Sequence, residues 1–221
     1  MGIFSRITSI FEGLNWLILP AAFLTIVFHE IAHGYIACLL GDKTAKNSGR
    51  LTLNPIEHLD WLGLICMVFF GFGWAKPVPV NPYHFKKRKL GMVLVALAGP
   101  VSNILMAAIS IICAFLSLLI EPTSSFLVNL EELLFTFFSM FAQLNVGLAV
   151  FNLIPVPPLD GSKVLFSLLP HNMYASVLRY EQYGMFALII LINIPWFINL
   201  LSVLRYELLN RLVSLFSFIL M

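Results

Sequence analysis

Long apolar runs separated by short polar breaks make up most of this chain, and the length of each run bounds what it can do. Trp16 to Leu40 is long enough to cross about 30 Å of hydrocarbon with some tilt, and it stops at Gly41-Asp42. Leu90 to Ile120 and Leu133 to Ile154 are comparable, the second ending at Pro155, Pro157 and Pro158. Tyr183 to Leu204 reads as a further crossing, kinked at Asn193 and Pro195. Trp61 to Trp74 is apolar but short, and it contains Gly63, Gly71 and Gly73, which suits a re-entrant or hairpin-like segment. Before the first span, Ile3, Phe4, Ile7, Ile10, Phe11 and Leu14 form a stripe expected of a short interfacial helix over 1–14. Residues 205–221 are an apolar C-terminal segment whose placement the pattern leaves open. The fold predicted is an all-α polytopic membrane protein, one domain over 1–221 with its core at 16–204, containing about 4–6 transmembrane helices and one re-entrant or hairpin segment.

Composition agrees with the pattern. The 221 residues are 60% hydrophobic and 11% charged, with a mean hydropathy of +0.93, far too little polar surface to cover a soluble globule. Cys38, Cys66 and Cys113 lie in apolar runs and read as packed free thiols. The N-terminus lacks a small-residue cleavage site, and Arg6 breaks the myristoylation pattern.

Net charge is only +2, but its distribution is informative. Lys43, Lys46, Arg50, Lys76, Lys86, Lys87, Arg88, Lys89, Lys163 and Arg179 all fall on one side if Trp61 to Trp74 does not cross. By the positive-inside rule that side is cytoplasmic, and the acidic stretch Glu121 to Glu132 lies outside. A multi-pass protein of a prokaryotic plasma membrane is expected, with the bilayer as a partner and no nucleic acid.

Within the first span, "IVFHEIAHGYIA" carries His29, Glu30 and His33. Such groups are costly in lipid unless partnered, so an intramembrane cluster of them points to function. On a helix His29 and His33 share a face one turn apart and can reach one metal ion, while Glu30 lies about 100° round, within reach of a water on that metal. A helix ending near Leu40 puts His33 and His29 roughly 10 and 16 Å below its cytoplasmic end. A catalytic zinc needs a third protein ligand, for which His58, His84, His171 and the acidic residues are candidates. Asp160 stands out: it follows three prolines in "FNLIPVPPLDGSK", where broken backbone can line a polar cavity, although a turn with Asp160 as helix cap has the same signature.

These motifs, with "GRLTLNPIEHLDWLG", "GFGWAKPVPVNP" and "ALAGPVSN", resemble the intramembrane site-2 metalloproteases in their compact prokaryotic form over roughly Ala21 to Pro170. The resemblance implies one zinc per chain held by His29, His33 and Asp160, with Glu30 activating the attacking water. It also implies active-site roles for Asn152 and Asn103. Asn152 is a candidate oxyanion donor, or else a helix-terminus cap. Family members often carry PDZ or CBS domains, of which this sequence shows no sign.

The substrate expected is a transmembrane protein or peptide, unwound locally because helical hydrogen bonds shield its peptide groups. Trp74, Lys76, Pro77, Val78, Pro79 and Val80 are candidates to receive it by strand addition, or else form an ordinary interfacial loop beside the "KKRK" cluster. A metal or proton transporter would use a similar polar cluster, but would usually show paired halves with matching broken segments, and none is visible. A scaffold without activity would be expected to lack Glu30 or a ligand.

Overall fold

The computed structural model describes residues 16–63, 75–121, 123–169 and 183–217. Helix α1 spans Ile18–Leu39, α2 Thr44–Asn47, α3 Arg88–Ser117, α4 Ser125–Asn152, α5 Asp160–Ser167, α6 Tyr183–Leu191 and α7 Pro195–Phe216. One-turn 3-10 helices lie at Pro55–His58 and Pro82–His84, each capped by an asparagine side chain, Asn54 or Asn81. Among the described residues there is no named strand; Leu59 and Ala75 form an isolated antiparallel bridge.

Helices α1, α3 and α4 are each long and apolar enough to cross a membrane. α3 lies centrally against both α4 and α1. Small residues line the crossings: Ala21, Ala37, Ala96, Ala107, Ala142 and Ala149 are all buried. In lipid, where apolar tails compete with apolar side chains, such close approach is what holds spans together.

α1 ends as its sequence requires. Gly41 adopts φ +107°, while the N–H of Asp42 bonds Ala37 O at 2.9 Å and that of Gly41 bonds Cys38 O at 3.1 Å. This left-handed cap reverses the chain and delivers Asp42, fully buried, beneath the loop that leads into α3.

Several boundaries differ from the sequence reading. α4 begins at Ser125, because the Ser124 side chain accepts from Leu127 N–H and starts the helix before the apolar run does. The acidic stretch Glu121 to Glu132 is therefore mostly helix. Tyr183 to Leu204 is not one kinked span: α6 and α7 meet at 84°, with Pro195 opening the second helix and Asn193 bonding Ile189 O. α7 then runs unbroken to Phe216, so 205–216 belong to it and not to a separate tail. Counting the bent pair as one span gives four crossings. The interfacial helix expected over 1–14 lies outside the described residues, as do Cys66, Trp74, His171 and Arg179.

The expected hairpin, residues 61–74, is described only at 61–63. Its two ends meet, however. Leu59 pairs with Ala75, and Lys76 N–H donates to His58 O at 2.9 Å. The course of the chain between these flanks lies outside the described residues.

Candidate metal centre

His29 and His33 project from one face of α1, both buried. Asp160, also buried, opens α5 as its first helical residue and makes no capping bond, so its carboxylate is available to the histidines. Asp160 Oδ2 lies 3.1 Å from His29 Nε2 and 3.0 Å from His33 Nε2, and the two Nε2 atoms are 3.0 Å apart. Lys163 Nζ takes the other carboxylate oxygen at 3.3 Å, leaving Oδ2 to the cluster.

The proton positions follow from the outer partners. His33 Nδ1 is 2.7 Å from Val95 O, which can only accept, so Nδ1 donates and Nε2 keeps its lone pair. His29 Nδ1 is 2.5 Å from Asn103 Oδ1, and the Asn103 Nδ2 group is already donating to Thr25 O and Asn145 Oδ1. His29 therefore donates from Nδ1 as well. Two imidazole lone pairs and one carboxylate oxygen then face one another at 3.0–3.1 Å. With neutral rings that arrangement repels, unless a cation sits among the three atoms. Tetrahedral ligation at zinc separates donor atoms by about 3.3 Å, so the spacing and the donor set, two imidazoles and a carboxylate with a position left for water, both fit.

Gly99 makes the geometry possible. A Cβ there would lie 2.6 Å from both His29 Nε2 and His33 Cε1, so the rings occupy the space a side chain would need. This is the physical content of the "AGP" motif.

Glu30 is half-buried and follows His29 on α1. Its Oε2 accepts the Val78 N–H at 2.8 Å, and Oε1 has no hydrogen-bond partner among the described residues. The donor belongs to an irregular stretch, residues 76–81, held at several points. Arg50 Nη2 donates to Lys76 O at 2.8 Å and to Pro77 O at 3.4 Å, and Asn81 N–H donates to Asp42 Oδ2 at 2.6 Å. Val78 packs into the notch of Gly34, whose Cβ would lie 2.9 Å from Val78 Cγ1. Asp42 also accepts from Thr44 N–H, Thr44 Oγ1 and His84 Nδ1. Burial alone raises the Asp42 pKa, but the bonds from Thr44, Asn81 and His84 outweigh it and bring it down to about 2.

The other sequence candidates divide cleanly. Asn103 is in the site as a partner of His29. Asn152, the last residue of α4, donates to Leu148 O at 3.1 Å, a bond within its own helix, and makes none to the triad. His58 and His84 are not ligands: His58 pairs with Thr52 O and His84 with Asp42. Lys76, Pro77 and Pro79 are exposed, Val80 is half-buried and Val78 is buried. Arg50, read from sequence as a loop charge, is instead buried and grips the 76–81 stretch. Sequence reasoning also passed over Thr25 and Asn145; their signal was a polar side chain at mid-span.

Comparison with known proteins agrees. The profile of Peptidase family M50 matches residues 18–192. The Bacillus subtilis protein named "Putative zinc metalloprotease YwhC" is 43% identical over 187 residues, covering 80% of this chain and 82% of its own. Rip2 of Mycolicibacterium smegmatis is 24% identical over 199 residues, 86% of this chain and 73% of its own. MJ0611 of Methanocaldococcus jannaschii is 31% identical over 141 residues, 63% of each chain. No solved structure matches. The HExxH helix, the glycine that admits its imidazoles and the aspartate that meets them thus sit inside a match spanning most of the sequence: the chain belongs to peptidase family M50.

Proposed function

We propose that this protein is an intramembrane zinc metalloprotease of the site-2 type, which hydrolyses peptide bonds of transmembrane segments in regulated intramembrane proteolysis. The convergence of three lone pairs from His29, His33 and Asp160 carries the reading. Zinc bound there would polarise the scissile carbonyl and supply hydroxide at neutral pH. Glu30 takes the proton of the attacking water through Oε1 and returns it to the leaving amine, while the Val78 N–H steadies Oε2. Asn152 turns its amide from Leu148 O toward the oxyanion when substrate binds.

The substrate lies along Lys76 to Val80. Pro77 and Pro79 have no N–H, and those of Lys76 and Val78 are already engaged, so between Lys76 and Pro79 a docked strand donates hydrogen bonds and does not receive them. A locally unwound helix has such N–H groups to offer, which favours substrates with helix-breaking residues near the cleavage site. The site opens toward the cytoplasmic side of a prokaryotic plasma membrane, a reading supported by the concentration of Lys and Arg in the loops assigned to that side.

The test compares wild type with Glu30→Gln for zinc content and for cleavage of a reconstituted transmembrane substrate. The amide cannot accept a proton, so zinc stays at one per chain and cleavage stops. A variant that still cleaves, or a wild type that moves metal across vesicles without cleaving anything, would sink the proposal; the second outcome is the transporter.

A further inference from the structure

We infer that Thr25 and Asn145 are positioning residues for the metal centre: through Asn103 they form a buried hydrogen-bond relay that dictates which nitrogen of His29 carries its proton. The inference rests on the metalloprotease reading of the site and adds two residues to it.

Thr25, Asn103 and Asn145 come from α1, α3 and α4, one from each long span, and none is more than 3% exposed. At that depth no bulk water competes, so each polar atom is answered by the protein. The direction of the relay is set at its outer ends by backbone carbonyls, which only accept. Thr25 Oγ1 donates to Ala21 O at 2.8 Å, so toward Asn145 it presents a lone pair. Asn145 Nδ2 fills both its hydrogens, one on Phe141 O at 2.8 Å and one on Thr25 Oγ1 at 3.1 Å. Its Oδ1 must then accept, and it does so from Asn103 Nδ2 at 2.8 Å. The second Asn103 hydrogen points at Thr25 O, 3.3 Å away.

Flipping either amide would set oxygen against a carbonyl, so both are locked. Asn103 Oδ1 is left facing His29 Nδ1, which has to donate, and His29 Nε2 has to keep its lone pair toward Asp160 and His33. His33 reaches the same state by a different route, through Val95 O alone. Only His29 depends on side chains from two other helices. Groups that orient a metal-binding histidine typically change metal affinity roughly 10–100-fold when removed.

Polar side chains between spans also act simply as adhesive, and the test separates that role. Full-length protein in detergent is labelled with 15N-histidine. The ring spectra of His29 and His33 are recorded metal-free, and zinc affinity is measured by chelator competition for wild type, Asn145→Leu, Thr25→Val and Thr25→Ser. Expected for Asn145→Leu, which leaves the Asn103 amide only its 3.3 Å bond to Thr25 O, is a mixture of His29 tautomers with His33 unchanged and zinc affinity roughly 10–100-fold weaker; Thr25→Val, which removes one of the two acceptors that orient Asn145, shifts both readouts the same way by less. Thr25→Ser retains the hydroxyl and behaves as wild type. A folded Asn145→Leu protein with His29 still in one tautomer and zinc affinity intact would overturn the relay. Should that variant fail to fold, the Thr25→Val and Thr25→Ser pair decides the same question. A wild type without zinc affinity would defeat the metal reading instead, and the metal-free ring spectra would still decide the relay.

Discussion

Val78 holds the carboxylate of Glu30 through its backbone N–H, 2.8 Å from Oε2. The bond links two parts of the chain that sequence alone keeps separate, the HExxH helix and the proline-flanked stretch that follows residue 75. The position of the Glu30 carboxylate is thereby tied to the backbone of that stretch.

Removing that donor tests the link. Val78→Pro deletes the N–H in a stretch already bounded by Pro77 and Pro79. A hydrogen bond to a charged group contributes about 1.5–3 kcal/mol, so cleavage is expected to fall roughly 10–100-fold with zinc content unchanged. Val78→Ala keeps the N–H and should lose less. Equal losses in the two variants would show that the side chain matters and the bond does not.

Gly99→Ala probes the packing of the imidazoles. In an ordinary helix interior the change stabilises by about 1 kcal/mol. Here the new methyl group would stand 2.6 Å from His29 Nε2, so zinc occupancy and activity should both collapse. Metal analysis of the purified variant decides; full occupancy would contradict the described geometry.

Asp42 supplies a pH signature. Its pKa is lowered from 3.8 to about 2 in the folded protein, so the stability it contributes is complete above about pH 4 and is lost as pH falls through about 2. Thermal unfolding in detergent should show wild type losing more stability than Asp42→Asn between about pH 4 and pH 2. Parallel profiles for the two proteins would mean that the carboxylate clamp on Asn81 and His84 contributes nothing.

Sidedness can be read with single cysteines in a background lacking Cys38, Cys66 and Cys113. Ser48 and Leu168, both exposed, should react with a membrane-impermeant thiol reagent from the cytoplasmic face, and Ser124 from the opposite face only. Labelling of Ser48 and Leu168 from different faces would require an odd number of crossings between them beyond α3 and α4.

Much of the centre was legible in the sequence because its signals are expensive. A charged or imidazole side chain in a span, or prolines beside Asp160, stand out against an apolar background, and these signals located His29, Glu30, His33 and Asp160. Helix ends were less legible where polarity and helicity part company. The outer turns of α4 carry Glu131 and Glu132 and look like loop, yet a Ser124 cap makes them helix. The right-angle break before Pro195 was read as a kink, since an apolar run on both sides of a proline does not encode the size of a bend. Arg50 and Asn145 were passed over because their roles depend on partners far along the chain, Lys76 and Asn103, and no local pattern names a distant partner.

The bridge between Leu59 and Ala75 has an evolutionary consequence. Paired residues of this kind stand about 4.5–5.5 Å apart, so the chain leaves Leu59 and returns at Ala75 through neighbouring positions. Lengthening such an insert costs little, about 0.6 kcal/mol for each doubling, and neither His58 nor Lys76 has to move. Across related sequences the stretch between Leu59 and Ala75 can therefore change in length without disturbing the bonds that Arg50 makes to Lys76 and Pro77 or the one that Val78 makes to Glu30.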